Sequence, residues 1–269
     1  MIPVLAFITG ASSGIGEALA KLLAANGVSL ILAGRDADRL EKVARICRQK
    51  VSVETLLADL ATEDGRSAHS KMIWERGPDL IVNNAGFGVY GHSLSHTTAM
   101  QENLLEVNGQ AVMVLSLEGA RKMIAAKKKG TIVNISSAAA FQVFPFFAAY
   151  AASKAFVNAF SQALDVELSP YGIRVLVSCP GMVRTQFGKR ASGREHPPAK
   201  EGMRMDVDFA AQKIWRQIKM GKGVVIFDWR YRLLTFLSRL IPQKLLSKIL
   251  CKTMNERAGK RELLLDEPK

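Results

Sequence analysis

Val4-Leu5-Ala6-Phe7-Ile8-Thr9 runs directly into Gly10-Ala11-Ser12-Ser13-Gly14-Ile15-Gly16. The first six residues suit a buried strand, and the apolar periodicity from about residue 14 to 26 suits a helix folded back on it. A glycine-rich turn at such a junction presents backbone N–H groups and the positive end of the helix dipole, with few side chains to hold an anion away. The spacing is GxxxGxG, whereas the general dinucleotide fingerprint is GxGxxG. Tight strand-to-helix packing also selects glycine, so the surrounding pattern has to decide what the turn is for.

Outward from the turn, SLILAG at 29–34, VSVETLLA at 51–58 and DLIVNN at 79–84 repeat the strand signal, and helical periodicity fills the gaps, first over 36–49 and again in the sixties and seventies. This alternation predicts right-handed βαβ crossovers and a parallel sheet, the setting in which a glycine turn binds a nucleotide diphosphate. A helical stretch over 99–128, interrupted near Asn108-Gly109, precedes the strand GTIVNIS at 130–136. A helix over 150–169 stops at Pro170, IRVLVSCP at 173–180 is a sixth strand and GKGVVIF at 221–227 a seventh. Residues 181–205, rich in Gly, Arg, Lys and Pro, read as a long mobile loop of the lid type.

The 269 residues are 48% hydrophobic and 23% charged, ample for a large core and unlike a disordered chain, a fibre or a miniprotein. Cys47, Cys179 and Cys251 form no CxxC pair and read as reduced thiols. His69, His92, His96 and His196 have no metal-binding spacing, so no catalytic metal is expected. The N-terminus lacks a basic leader region, and no apolar run reaches the roughly 18 residues that span a bilayer. A cytoplasmic protein is the expectation, with peripheral membrane attachment open. The net charge of +13 is unevenly spread: residues 1–183 hold 17 basic and 15 acidic residues, and residues 184–269 hold 20 and 9. The last third therefore invites an acidic partner or simply aids solubility.

Tyr150 and Lys154 are four apart on a predicted helix, so they share a face. A phenol titrates near 10, too high for efficient proton exchange at neutral pH, and a nearby cation favours its phenolate. Together with the glycine turn, Asn83-Asn84-Ala85-Gly86, Ser137, Tyr150-x-x-x-Lys154 and Pro180-Gly181 occur in an order that resembles the short-chain dehydrogenase/reductase family over about residues 4–227. The resemblance implies a Rossmann-type α/β fold: a doubly wound parallel sheet of about seven strands with helices on both faces. Residues 1–228 would form the catalytic domain, with its substrate loop at about 181–205, and 229–269 a basic amphipathic helical extension that is no independent domain.

By the same resemblance, Tyr150 is general acid in reduction and general base in oxidation, and Lys154 also holds the nicotinamide ribose. Ser137 aligns the substrate carbonyl, and Asn108 maintains a water-linked proton path, although a mid-helix Asn can instead bond backbone at a bend. Thr9, Gly10, Ser12, Ser13, Gly14, Ile15 and Gly16 would line the diphosphate, with Asp59, Asn83, Ala85 and Gly86 on the adenosine side. Pro180, Gly181, Val183 and Thr185 would lie beside the nicotinamide carboxamide. After the second strand stand Gly34-Arg35-Asp36. Arg35 favours a 2′-phosphate, hence NADP(H) over NAD(H), whereas Asp36 could bind a ribose or cap the next helix.

Phe141, Phe144, Phe146 and Phe147 crowd the segment between Ser137 and Tyr150, which points to an apolar, lipid-like, acyl or steroid-like carbonyl substrate or else to core or subunit packing. In the tail, Leu233, Leu234, Phe236, Leu237, Leu240 and Ile241 make one apolar surface, and Leu245, Leu246, Ile249 and Leu250 another beyond Pro242. Such a basic amphipathic segment caps a pocket, forms a dimer contact or lies in an anionic membrane interface. The family implies a homodimer or homotetramer through the two long helices. A non-enzymatic nucleotide-sensing or scaffold protein is the rival reading, and nucleic acid is disfavoured because no stacking motif accompanies the basic residues.

Overall fold

The computed structural model describes residues 3–192, 204–238, 240–242, 244–248, 250 and 251. Its strands are β1 Leu5–Thr9, β2 Ser29–Gly34, β3 Val53–Leu57, β4 Leu80–Asn83, β5 Gly130–Ile135, β6 Ile173–Cys179 and β7 Val224–Ile226. Its helices are α1 Gly14–Ala25, α2 Ala37–Arg48, α3 Glu63–Arg76, α4 Thr98–Leu105, α5 Ala111–Ala125, α6 Ala148–Leu168, α7 Phe187–Ser192, α8 Val207–Met220 and α9 Trp229–Leu237. The strands form one sheet in the order β3-β2-β1-β4-β5-β6-β7, and every neighbouring pair is parallel.

Because successive strand residues point to opposite faces, the continuous apolar runs feed two cores. Ala6, Ile8, Leu30 and Leu32 pack with α1, α2 and α8 on one face. Phe7, Ile31, Ile81 and Ile132 pack with α3, α5 and α6 on the other. The predicted doubly wound α/β architecture is therefore present. Connections reverse direction between β1 and β4, so the crevice at the C-terminal ends of these strands is where a ligand of such a sheet binds.

The interruption expected near Asn108-Gly109 is present, and two other boundaries differ from the sequence reading. The stretch over 99–128 is two helices joined by a widened turn, Glu106–Gln110, in which the Ala111 N–H donates to the Glu106 carbonyl five residues back. α6 begins at Ala148, and Pro170 lies in a short 3₁₀ turn closed by Gly172. Of the segment 181–205, the described residues contain α7, and Val183 pairs with Met205. Residues 193–203 within it, Ile249 and residues 252–269 lie outside the described residues. No described helix is long and apolar enough to cross a membrane.

Candidate active site

The glycine turn closes because its glycines accept geometry that other residues resist. Gly10 and Gly14 have φ of 63° and 60°. A Cβ on Gly10 would stand 2.9 Å from the Ala85 Cα, and one on Gly16 would stand 2.4 Å from the Gly10 carbonyl oxygen. Ser13 starts α1 without a side-chain cap, so no capping side chain claims the first N–H groups of the helix, which face the crevice. This cradle fits a diphosphate.

Thr9 and Asn84 hold the cradle to β4. The Thr9 hydroxyl accepts from the Asn84 and Ala85 N–H groups, both at 3.0 Å, and Asn84 Nδ2 donates to the carbonyls of Thr9 at 2.9 Å and Gly10 at 3.2 Å. Thr9 is thus a buried clamp and not a lining side chain. Asn83, expected on the adenosine side, turns the other way: Nδ2 donates to Asn134 Oδ1 at 2.8 Å and to the Ser116 hydroxyl at 3.1 Å, and the group is buried between β4, β5 and α5. The side chain that grips the turn is its neighbour Asn84, which the sequence motif contains but does not single out.

At the end of β2, Arg35 pairs with Asp59 at 3.0 Å, and both are exposed. Partial burial acts to raise the Asp59 carboxyl, but the Ala61 N–H and the Arg35 guanidinium outweigh it and hold the group below its usual range. Asp36 caps α2, accepting from the Arg39 N–H at 3.0 Å. Ser12 sits against Gly34: a Cβ there would stand 3.4 Å from the Ser12 hydroxyl.

The predicted proton-transfer residues meet beyond β5 and along α6. Ser137 opens a 3₁₀ turn, Ala138–Phe141, its hydroxyl accepting from the Ala139 N–H at 3.1 Å. Ser136 donates to the Lys154 carbonyl at 2.9 Å and ties α6 to the strand end. The Ser137 side chain lies near enough to the Tyr150 phenol to favour its ionised form. Lys154 Nζ stands 5.8 Å from the Tyr150 ring centroid and donates to the Ile135 carbonyl at 2.9 Å. Burial pushes the Tyr150 phenol above its ordinary value, against the Ser137 hydroxyl, and pushes the Lys154 ammonium down to about 8. The expectation that the cation lowers the phenol is corrected here: desolvation dominates, and the ammonium is turned to the carbonyl of Ile135.

Asn108 takes the backbone-bonding alternative. It accepts from the Phe87 N–H at 3.0 Å, donates to the Phe87 carbonyl at 2.8 Å and donates to the Ser153 hydroxyl at 3.3 Å. Gly86 lets it approach Lys154, since a Cβ at that position would stand 2.9 Å from Asn108 Oδ1 and 3.4 Å from Lys154 Nζ. Gly14 and Thr185 are adjacent, with 3.2 Å between the position of a Gly14 Cβ and the threonine methyl. This brings the segment after β6 over the glycine turn. Pro180 accepts from the Ala138 N–H at 2.9 Å, and Val183 pairs with Met205.

Aromatic rings enclose the phenol. Phe147 stacks between Tyr90 at 4.1 Å and Tyr150 at 4.2 Å, and Phe187 stands 5.5 Å from Tyr150. Phe141, Phe144 and Phe146 are half-buried. Tyr90 and Phe187 were not anticipated, and no local motif marks them, because they come from segments distant in sequence. Tyr231 of α9 covers Gly181 so closely that a Cβ there would lie 2.1 Å from its ring, and its hydroxyl accepts from the Met182 N–H at 3.2 Å. α9 therefore packs on the segment that follows β6. A cavity of about 270 Å³ lined by Asp79, Lys129, Arg174 and Gly221 opens at the opposite edge of the sheet, away from these residues. Among the described residues no cluster of His, Cys, Asp and Glu could hold a metal.

Residues 4–196 match the model of the short chain dehydrogenases. The chain belongs to this family. It is an oxidoreductase-family protein with a nucleotide-binding Rossmann fold. A short-chain dehydrogenase from Sphingobium yanoikuyae, solved in complex with NADPH, is 32% identical with a TM-score of 0.79, covering 87% of this chain and 93% of its own. The bulky-bulky ketone specific alcohol dehydrogenase from Comamonas testosteroni is 29% identical with a TM-score of 0.74, covering 89% and 95%. A very-long-chain 3-oxoacyl-CoA reductase-like protein of Arabidopsis thaliana is 31% identical over 253 residues, 89% of this short-chain dehydrogenase and 78% of the relative.

Proposed function

We propose that this short-chain dehydrogenase interconverts an apolar ketone and its secondary alcohol with NADP(H). The observation that carries the reading is the convergence of the Ser137 hydroxyl, the Tyr150 phenol and the Lys154 ammonium at the C-terminal edge of the sheet, beside a glycine cradle for a diphosphate. The bound nicotinamide would supply hydride to the carbonyl carbon. Tyr150 then gives its proton to the carbonyl oxygen, Ser137 donates a hydrogen bond to the same oxygen, and Lys154 holds the ribose hydroxyls and returns a proton towards the phenol. Asn108 fixes the Phe87 segment over Lys154 and acts by positioning.

The first N–H groups of α1, with Ser12 and Ser13, would take the diphosphate; the Ala85 and Gly86 backbone would flank the adenosine side; Pro180, Gly181, Val183 and Thr185 would border the carboxamide. The preference for NADP(H) is supported by Asp36, which is spent as a cap, and by Arg35, which holds only an exposed carboxylate that a 2′-phosphate can replace. The solved NADPH complex of the Sphingobium relative agrees. An apolar substrate is supported by the rings of Phe147, Tyr90 and Phe187 around the phenol. Exposed Leu105, Phe156 and Val166 on α4 and α6 support a homo-oligomer through these helices, which light scattering tests.

Tyr150→Phe should lower NADPH-dependent reduction of hydrophobic ketones by about 10²-fold or more while nicotinamide fluorescence still reports binding. Undiminished turnover overturns the mechanism. Arg35→Ala should weaken NADPH by about 1.5–3 kcal/mol, ten- to hundredfold, and leave NADH unchanged. Binding of neither nucleotide by the wild type would favour the scaffold reading.

A further inference from the structure

α9 is amphipathic in an inverted sense. At about 100° per residue, Tyr231, Thr235 and Ser238 fall on one side, and Trp229, Leu233 and Phe236 fall opposite, with Leu237 beside them. The side turned to the protein is the polar one: Thr235 is 7% exposed and satisfied by the Arg232 carbonyl at 2.9 Å, while Tyr231 lies on Gly181. The side turned outward is apolar, with Trp229 64%, Leu233 46%, Phe236 62% and Leu237 42% exposed. Beyond the helix, Leu240 at 70% and Leu245 at 53% are exposed as well. A helix that only packed on the body would bury these side chains and show its hydroxyls to water.

Charge selects the occupant. Between Trp229 and Asn255 the sequence has six basic residues and no acidic one, and of the six Arg230 is paired with Asp228. Arg232, Lys244 and Lys248 are exposed on this segment. A second copy seated on the face by a two-fold would bring two sets of these cations together, whereas an anionic lipid surface neutralises them and takes up the leucines and aromatics between them. α9 is also joined to the site, through the Met182 N–H to Tyr231 bond and through Gln142 Nε2, which donates to the Leu234 carbonyl at 3.5 Å.

We propose that α9, with Leu240, Lys244, Leu245 and Lys248 beyond it, forms a docking surface for an anionic lipid bilayer, which holds the mouth of the site against the membrane. This is independent of the cofactor and substrate assigned above. The test is co-sedimentation of the full chain with vesicles of phosphatidylcholine and phosphatidylglycerol, beside vesicles of phosphatidylcholine alone, with light scattering of the protein without vesicles. The wild type should pellet with the anionic vesicles, much less with the neutral ones, and less as salt rises. Leu233→Ser/Phe236→Ser/Leu237→Ser should lower partitioning about tenfold or more while circular dichroism and NADPH binding stay as in the wild type. Should that variant misfold, Arg232→Glu/Lys244→Glu/Lys248→Glu tests the same surface through charge and should abolish binding to the anionic vesicles. Failure of the wild type to pellet, equal binding by folded variants, or a serine variant that only dissociates an oligomer overturns the proposal.

Discussion

Lys154 carries a cation into a place nearly closed to water: it is 4% exposed, and burial takes its ammonium from 10.5 down to about 8. A lysine that titrates lower folded than unfolded binds fewer protons in the native state between these two values, so stability rises with pH across about 8 to 10.5. Below about pH 8 the whole cost of the buried charge is present. Lys154→Met should therefore stabilise the protein by about 1–3 kcal/mol at pH 7, a gain that fades above about pH 10, while turnover collapses. Thermal melts at pH 7 and pH 10 measure this, and a destabilised variant at pH 7 would show that the ammonium contributes more through the Ile135 carbonyl than burial costs. If the charged lysine is needed for reaction, kcat/KM should also fall above about pH 8, and a profile flat to pH 10 would remove Lys154 from that role. That Tyr150 and Lys154 share a helix face was legible from their spacing, and their joint role from the company of Ser137 and the glycine turn. Their burial was not, because the rings around them arrive from residues 90, 147 and 187.

Elements whose pattern is local were readable, and elements whose orientation depends on a distant surface were not. The break at Asn108-Gly109 shows in the sequence because a polar residue and a glycine interrupt an apolar helix, and the structure spends the break on a widened turn that aims Asn108 at Phe87. For α9 the amphipathic pattern was visible but its direction was not, since the inward side is fixed by Gly181, nearly fifty residues earlier. That contact can be measured. Gly181→Ala would place a Cβ 2.1 Å from the Tyr231 ring, so α9 or the Met182 segment must shift. We expect a loss of about 1–3 kcal/mol and a raised KM for NADPH. Tyr231→Ala in the same chain should return part of the loss, and denaturant unfolding of the two single variants and the double gives the coupling. Strictly additive losses would mean that the helix and the loop do not communicate.

On the scale of the molecule, the alternation of buried strands and periodic helices was enough to fix a parallel sheet covered on both faces, because the central strands had to be apolar on both sides. What alternation leaves open is which distant segments share the crevice, and these are the ones a dinucleotide would bridge: the turn after β1, Arg35 after β2, Gly86 after β4, Lys154 on α6 and Thr185 after β6. A ligand that needs all of them binds the folded state alone, so it should raise global stability by mass action. At a hundredfold excess over its Kd, NADPH should add about 2.7 kcal/mol, a rise in Tm of about 5–10 °C for a chain of this size. NADH at the same concentration should give a smaller rise, and Arg35→Ala should reduce the NADPH rise to that level. Gly16→Ala, whose Cβ would stand 2.4 Å from the Gly10 carbonyl oxygen, should melt lower and lose the response to both nucleotides, because the cradle cannot close around it. Equal rises with both nucleotides in the wild type would leave the exposed Arg35–Asp59 pair as a surface contact and move the choice of cofactor to another part of the crevice.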